Sequence, residues 1–583
     1  MTPPARAQTK PAAPSTESAI ARGHAALKRR MDIDWAARRD PRAVWTLAVL
    51  MVIVGVALMY TARGTTFFFD EWDYVMNRFG GGIQSFLEPH NEHFSLVPLV
   101  IYKTLFHLVG MRGYPLYRLV VVLMHLVCVG LVFDVARRRI GDWPALVAAT
   151  SILCLFTAWQ DLLWAFQMGF VGSAMGGLAA WALIDRDTRA CDIAAGVALG
   201  VALSCSGLGI PFVPGIALEL AWQRRPRRLW LVAVPFALYL LWYSHYGVSM
   251  VTSNSVIQSP QWIAGMAAAA VGALAGRDLD WGVPLTVVLI VLAVRRLLSD
   301  IRVSPRFVGA LTTAAAFWVL TGVSRSTIQA PDESRYVYLG AACIVVAAVE
   351  LLPNVRATAR SMAIAALALL ATTAMGWETM HNNALTLRQT SATVAAQLGA
   401  LQLEAARAPA GFSPSPTAAP NITAGLYAQA VASMGSSAAD SPATILTAPP
   451  TAQAAADAVL LALVAPALDP RSRPVRSAPA PVFDSGAGAV VAHRTPLCLT
   501  LRPTAPGSSA ALTLPSGGAY IHNDSDGAVP LAMRRFSTAF TPINASIPVH
   551  TAEALVVPTD SSSLPWYLEL SVPGPVLVCG LAR

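Results

Sequence analysis

Apolar segments long enough to cross a membrane recur through the first two thirds of the chain, and short arginine clusters separate them. The segment 43–62, AVWTLAVLMVIVGVALMYTA, has the roughly 20 apolar residues that cross the hydrocarbon core of a bilayer. Of the 583 residues, 55% are hydrophobic and 13% are charged, which is too little charge for the surface of a soluble protein. We therefore expect a mostly α-helical, polytopic transmembrane bundle.

The arginine clusters predict the topology of this bundle. Clusters such as Arg137–Arg139 follow alternate apolar segments, as expected for the loops on the cytoplasmic side. We predict a disordered cytoplasmic tail over 1–42, a transmembrane domain over 43–378 and an extracytoplasmic C-terminal part. Because segment 282–294 is short, the total of about eleven spans can change by one or two. The predicted spans are 43–62, 116–136, 143–158, 169–184, 190–206, 208–223, 229–244, 282–294, 307–323, 336–352 and 362–378.

The C-terminal part divides into two segments by composition. Residues 379–485 predict a polar helix followed by a linker rich in Ala, Pro and Ser, with loosely ordered structure. Residues 486–583 alternate in hydrophobicity with the period of β-strands and contain frequent turns, which predicts a β-sandwich-like domain. Cys498 and Cys579 lie on two of these strands and are candidates for a disulfide outside the cytoplasm. The alternative is that both are small buried residues.

Acidic residues cluster just after the first apolar segment, in the sequence DEWD at Asp70–Asp73. A carboxylate near the hydrocarbon region costs free energy, and burial raises its pKa, which suits a general base. We take Asp70 as the candidate base, with Glu71 as its substitute and Asp73 as a substrate-binding residue. The alternative is an acidic loop that merely flanks a helix.

A second polar group follows at His90, Asn91, Glu92 and His93. These side chains could hydrogen-bond sugar hydroxyls, or could bind a divalent cation such as Mg²⁺, Mn²⁺ or Ca²⁺. The candidate metal ligands are Asp70, Glu92 and His93, and whether a metal is needed stays open. The alternative is a polar cap on the helix that begins at residue 94, which we expect to lie on the membrane surface.

Two arginines lie in a late outer loop, against the positive-inside trend. Arg325 and Arg335 are placed to pair with a phosphate group, and Tyr336 could contact the same lipid headgroup. The alternative is an internal salt bridge between Arg335 and Asp332 or Glu333. Weaker candidates for lining the same cavity are Gln160, Asp161, Gln167, His245 and Tyr246.

These features together resemble the GT-C superfamily of membrane glycosyltransferases that use polyprenyl-phosphate sugars. The resemblance covers about residues 43–378. It rests on the DEWD loop after the first span, the interfacial helix in that loop, the stretch His90–Leu99 and the late SRY at Ser334–Tyr336. It implies an inverting sugar transfer from a lipid-phosphate donor to a glycan, lipid or protein acceptor at the outer face of a bacterial plasma membrane. Asp70 or Glu71 would be the base, and Arg325 and Arg335 would hold the phosphate.

Two other classes of function stay open. A transporter or flippase of a lipid-linked envelope precursor would need broken helices, and Pro211 and Pro214 give it some support. A scaffold protein that binds glycan through its C-terminal domain would leave the acidic loop unexplained. The net charge of +9 is spread over many short loops, which argues against a nucleic-acid partner.

Overall fold

The computed structural model describes residues 38–299, 303–352, 357–470, 478–558, 560 and 562–581. Within these ranges, eight helices are long and apolar enough to cross a membrane. They are Pro41–Thr61, Met111–Ile140, Asp142–Leu163, Ala165–Ile184, Pro226–Tyr246, Leu279–Ser299, Pro305–Arg325 and Ala359–Leu403. The predicted polytopic helical fold is confirmed, and the protein is a multi-pass membrane protein. Most of the predicted tail over 1–42, residues 1–37, lies outside the described residues.

The first ten helices build the N-terminal half of the bundle, including the loop 62–95. They are α1 (Pro41–Thr61), α2 (Glu71–Asn77), α3 (Gln84–Leu87), α4 (Leu96–Val109), α5 (Tyr114–Ile140), α6 (Asp142–Leu153), α7 (Trp159–Leu163), α8 (Met168–Ile184), α9 (Arg189–Cys205) and α10 (Phe212–Trp222).

The remaining nine helices are α11 (Trp230–Tyr246), α12 (Ser253–Leu274), α13 (Leu279–Ser299), α14 (Pro305–Arg325), α15 (Ser334–Glu350), α16 (Ala359–Leu403), α17 (Ala424–Met434), α18 (Pro442–Leu446) and α19 (Pro450–Val464). Side-chain caps define several starts. Asp40 accepts the Arg42 N–H before α1, and Thr358 with Ser361 forms a capping box that starts α16.

Three of the predicted spans are at or below the shortest length that crosses a bilayer. Helices α9 and α15 have 17 residues each, at the lower limit, and α10 has 11, which gives a length of only about 17 Å for α10. The 3₁₀ turn Gly207–Gly209 joins α9 to α10. The total of eleven spans is therefore not confirmed, since eight of the described helices meet the length criterion.

A network of buried ion pairs gathers several helix ends at one end of the bundle, which we call the arginine-rich end. Arg306 is 1% exposed and contacts Glu219 at 2.8 Å and Asp185 at 3.0 Å. Arg139 contacts Glu350 at 2.8 Å. Each buried charge thus has a partner of opposite sign, as a low-dielectric interior requires. The opposite end, which contains the loop 62–95, is called the cavity end below.

Helix α16 continues well past the predicted last span. It has 45 residues, so it is about 68 Å long. The polar helix expected after residue 379 is therefore part of this helix and not a separate element. Helix α19 packs along it, and α17–α19 replace much of the loosely ordered linker expected up to 485. Ser436 accepts the Met111 N–H at 2.7 Å, which ties this helical segment to the start of α5.

The C-terminal strands form two antiparallel sheets. A six-stranded sheet has the order β1-β9-β6-β11-β4-β3 and a five-stranded sheet the order β2-β5-β10-β7-β8. Alternate residues face inward, for example Leu568 and Leu570 from one sheet and Val576 and Val578 from the other, all fully buried. Cys498 on β4 and Cys579 on β11 face each other in register and form a disulfide. The strands are β1 (Ala467–Asp469), β2 (Val482–Ala487), β3 (Ala489–Arg494), β4 (Cys498–Pro503), β5 (Ser509–Thr513), β6 (Gly518–Asn523), β7 (Val529–Arg534), β8 (Thr541–Ile547), β9 (Ala552–Val556), β10 (Tyr567–Ser571) and β11 (Val576–Gly580).

Candidate active site

A cavity of about 280 Å³ lies at the cavity end, between the loop 62–95 and the loop that joins α14 to α15. Its walls come from the turn between α9 and α10, from α11, from the loop after α11 and from the facing ends of α14 and α15. Most of the predicted site residues line it, namely Asp70, His90, Asn91, Glu92, His93, Arg325, Arg335 and Tyr336. Glu71 and Asp73 do not. The early acidic group and the late arginines therefore meet in one place.

Asp70 is half-buried and lies immediately before α2. Its carboxylate has one long contact, 3.5 Å from Asn91 Nδ2 to Asp70 Oδ2. Among the residues that the structure describes, no cation lies within salt-bridge distance of it. A carboxylate with so few partners keeps its lone pairs available to an incoming hydroxyl group.

Asn91 and Glu92 form the tip of a tight turn. His90 and His93 close it with paired backbone hydrogen bonds of 3.1 and 2.9 Å. Asn91 has φ +52° and Glu92 has φ +100°, a region that non-glycine residues rarely adopt and that costs about 1–3 kcal/mol per residue. The turn projects both polar side chains into the cavity, and strained backbone of this kind is typical of functional sites.

Glu92 connects three segments of the cavity wall. Its Oε2 lies 2.9 Å from Arg325 Nη2, and the two side chains are only 13% and 11% exposed. Its Oε1 accepts the Met250 N–H at 2.5 Å, which draws the loop after α11 over the cavity. The positive charge of Arg325 is thus already balanced within the protein.

Arg335 differs from Arg325 because it lacks a carboxylate partner within 4 Å in the described ranges. The alternative salt bridge with Asp332 or Glu333 is therefore not formed there. Its backbone is fixed instead, since Arg335 N–H donates to Gln160 Oε1 at 3.3 Å and Ser334 Oγ bonds to Thr157 O at 2.8 Å. The guanidinium lies 5.6 Å from the centre of the Tyr336 ring.

His90 and Asp73 form a hydrogen-bonded pair at the edge of the cavity. His90 Nδ1 lies 2.9 Å from Asp73 Oδ2, and Asn77 also donates to Asp73 at 2.6 Å. Burial alone would raise the pKa of Asp73, but the hydrogen bonds from His90 and Asn77 hold it below its usual value. Asp73 therefore orients His90, rather than reaching the cavity as the sequence led us to expect.

His93 is fixed by the turn Gly207–Gly209 between α9 and α10. Its Nδ1 accepts the Gly207 N–H at 3.3 Å, which assigns the ring proton to Nε2. Burial, together with the nearby charge of Arg325, lowers the pKa of His93 to about 3. His93 is consequently neutral at physiological pH and can donate one hydrogen bond to a ligand.

Glu71 points away from the cavity and is fully buried. Its carboxylate accepts hydrogen bonds from Tyr102 Oη, from Tyr114 Oη at 3.0 Å, from Trp164 Nε1 at 3.1 Å and from Phe68 N at 3.1 Å. Burial raises the pKa of Glu71 to about 7 even though these donors lower it. The choice of Glu71 as a substitute base is not supported, because its lone pairs are occupied and no ligand reaches it from the cavity.

The residues named as metal ligands do not form a metal site. Within the described part of the chain, no three His, Cys, Asp or Glu side chains come together in a way that could hold a cation. Glu92 forms an ion pair with Arg325, and His93 Nδ1 accepts a hydrogen bond from Gly207 N–H. The divalent cation stays an untested expectation.

The weaker candidate residues lie in different places relative to the cavity. Gln167 lines the cavity, and Gln160 lies behind Arg335. Asp161 is fully buried, and neither of its oxygens has a hydrogen-bond partner among the described residues. His245 and Tyr246 lie outside the cavity lining.

Several residues of the cavity were not predicted. Gly207 belongs to a turn with no charge or motif, so only the break in helix GLGIP pointed to it. Tyr239 and Tyr243 are four residues apart on one face of α11, a spacing that gave a usable but weak signal.

Comparisons with known proteins are sparse. No family model matches this chain, and no curated protein matches it. Among solved structures, the crystal structure of ArnT from Cupriavidus metallidurans bound to undecaprenyl phosphate is similar. The match covers 61% of this chain and 80% of that chain, at 15% sequence identity and a TM-score of 0.41. A similarity of this size concerns the fold alone and does not identify a substrate for this chain.

Proposed function

We propose that the protein is an inverting glycosyltransferase that moves a sugar from a polyprenyl-phosphate donor to an acceptor hydroxyl group. The supporting observation is that Asp70, with little to occupy its carboxylate, and Arg335, with no carboxylate partner in the described ranges, line one cavity. The first can accept a proton, and the second can stabilise a phosphate anion.

The reaction follows from these two roles. Asp70 takes the proton of the acceptor hydroxyl group as its oxygen attacks the anomeric carbon of the sugar. The bond from that carbon to the phosphate oxygen breaks, and its electron pair leaves with the lipid phosphate. Because phosphate is a stable leaving group, no second carboxylic acid is needed, in contrast to a glycosidase. Arg335 stabilises the negative charge that develops on the phosphate.

The other polar residues would bind the sugar. His93 offers its Nε2–H, and Asn91 and Glu92 present polar atoms from the strained turn. The donor lipid would enter between α11 and α14, where Tyr239, Phe317 and Leu320 give the cavity an apolar side. The positive-inside rule would place the arginine-rich end in the cytoplasm and the cavity at the outer face. The β-rich domain, on the same side, would guide a glycan or other envelope acceptor.

A transporter of a lipid-linked precursor is the second candidate. It is favoured by His125 and Asp161, two buried ionisable residues within spanning helices, because such residues often mark a pathway through a membrane protein. His125, however, is bonded to Tyr338 Oη at 2.9 Å and lies 3.3 Å from Leu153 O, so it is occupied structurally.

An assay of the purified protein with a panel of labelled polyprenyl-phosphate sugars tests the proposal. We expect transfer by the wild type and a loss of about 10²–10⁴-fold in Asp70→Asn. The matched control is Asp280→Asn, which removes an exposed carboxylate outside the cavity. Absence of transfer with every donor, combined with movement of the lipid between leaflets of a vesicle, would favour the transporter instead.

A further inference from the structure

Asp70 and Glu71 are neighbours in sequence but face opposite directions. Asp70 lines the cavity, whereas Glu71 is fully buried among four hydrogen-bond donors. Three of these donors are side chains from separate segments, and the fourth is the backbone N–H of Phe68. Four donors around one carboxylate make a rigid attachment point next to the proposed base.

The backbone just before these two residues is strained. Phe69 has φ +45°, which places a bulky side chain in the left-handed region at a cost of about 1–3 kcal/mol. Phe69 is 42% exposed, so the packing of its side chain gives this conformation little support. The flanking hydrogen bonds hold it instead. Glu71 N–H donates to Phe68 O at 3.0 Å, and the Glu71 carboxylate accepts Phe68 N–H at 3.1 Å. This reciprocal pair closes the turn Phe68–Glu71 immediately before α2.

We infer that Glu71 is a positioning residue, whose buried carboxylate holds the left-handed turn at Phe69 and thereby directs Asp70 into the cavity. The inference rests on the proposed role of Asp70 and deepens it. The carboxylate is required because Trp164 Nε1 and Phe68 N can only donate, so both need an acceptor. An amide at position 71 has a single oxygen and cannot accept from all four donors.

The test combines Glu71→Gln with two changes at Phe69. Asparagine tolerates the left-handed region and alanine does not, while both remove the same exposed ring. We expect Glu71→Gln to lower kcat at least tenfold with the KM for the donor changed less than threefold. Adding Phe69→Asn should raise the kcat of Glu71→Gln at least threefold, and adding Phe69→Ala should not. A role confined to core stability would not distinguish Asn from Ala.

A second readout does not depend on the proposed activity. Hydrogen exchange of the segment 66–72 in the full-length protein reports whether the turn is held. We expect exchange about tenfold faster in Glu71→Gln and slower again once Phe69→Asn is added. If the wild type transfers no sugar, the proposed function fails, while the exchange data still decide the role of Glu71.

Equal effects of Phe69→Asn and Phe69→Ala, or unchanged exchange in Glu71→Gln, would overturn the inference. Should Glu71→Gln not fold, Tyr102→Phe replaces it, because this variant removes one donor to Glu71 and keeps the ring. It should show the same pattern with a smaller amplitude, and wild-type exchange in this variant would overturn the inference equally.

Discussion

Glu92 and Arg325 form an ion pair of 2.9 Å at the cavity, although one follows the first apolar segment and the other ends α14. This contact joins the two loops whose meeting the proposed chemistry requires. It also distinguishes the two arginines. Arg325 is paired with Glu92, while Arg335 has no carboxylate within 4 Å among the described residues.

This difference between Arg325 and Arg335 predicts unequal effects of removing their charges. Arg335→Gln lowers the positive charge of the cavity by one, and we expect kcat/KM for the lipid-phosphate donor to fall about 10²–10³-fold. The double variant Glu92→Gln/Arg325→Gln removes one charge of each sign, so its loss should be smaller. Steady-state kinetics with one donor measures both, and Arg277→Gln, an exposed arginine outside the cavity, is the control. A greater loss in the double variant would contradict the assignment.

Gly207 is predicted to tolerate no side chain. A Cβ there would lie 2.9 Å from His93 Nδ1, so the imidazole ring or the turn must move. We expect Gly207→Ala to reduce kcat/KM about tenfold and to destabilise the protein by about 1–3 kcal/mol through overpacking. Gly130→Ala on α5 is the matched control, since its Cβ meets nothing within 4 Å. Activity and thermal unfolding in detergent check both variants, and equal behaviour would show that the close approach is unimportant.

The raised pKa of Glu71 predicts that the stability of the protein depends on pH. Its pKa is about 7 in the folded protein and near 4.5 when unfolded, so the folded state binds more protons between these values. Stability should therefore fall as the pH rises from 5 to 8, by up to about 3 kcal/mol from this residue. Melting temperatures across this range should show a flatter profile for Glu71→Gln than for the wild type. Glu88→Gln, at a half-exposed carboxylate, is the control variant.

The disulfide predicts a stability difference confined to the β-rich domain. Cys498 and Cys579 close a loop with a sequence separation of 81, and such bonds typically contribute about 2–4 kcal/mol. We expect the double variant to serine to unfold at a lower temperature and to become sensitive to limited proteolysis beyond residue 480. Cys191→Ser removes a free thiol and serves as the control. Unchanged proteolysis would mean that the two sheets hold the domain without the bond.

Much of the fold was predictable because membrane spans need long apolar segments and β-strands need alternating hydrophobicity. The long apolar segments predicted the helical bundle, and the alternating strands after residue 486 predicted the sheets. The number of spans was harder to predict. Segments 190–206, 208–223 and 336–352 are apolar, but their helices have only 17, 11 and 17 residues. Hydropathy does not separate a short span from an apolar helix that packs inside the bundle.

The site was predictable by residue type more than by orientation. Composition selected Asp70, Glu92 and Arg335, whose charges are unusual near a membrane, and all three line the cavity. It could not separate Asp70 from Glu71, because adjacent carboxylates look alike until the backbone turn that precedes them is known. The left-handed conformation of Phe69 has no sequence signature, since phenylalanine rarely adopts it.

Helix α16 has one more consequence. Its hydrogen-bonded turns run without a break from the spanning region to the outer helices, and Ser436 fastens those helices to Met111. A domain joined through a flexible linker can take many positions, whereas a domain joined through a continuous helix is held at one distance from the membrane. The distance of the strands from the spanning region is therefore set by the length of this helix.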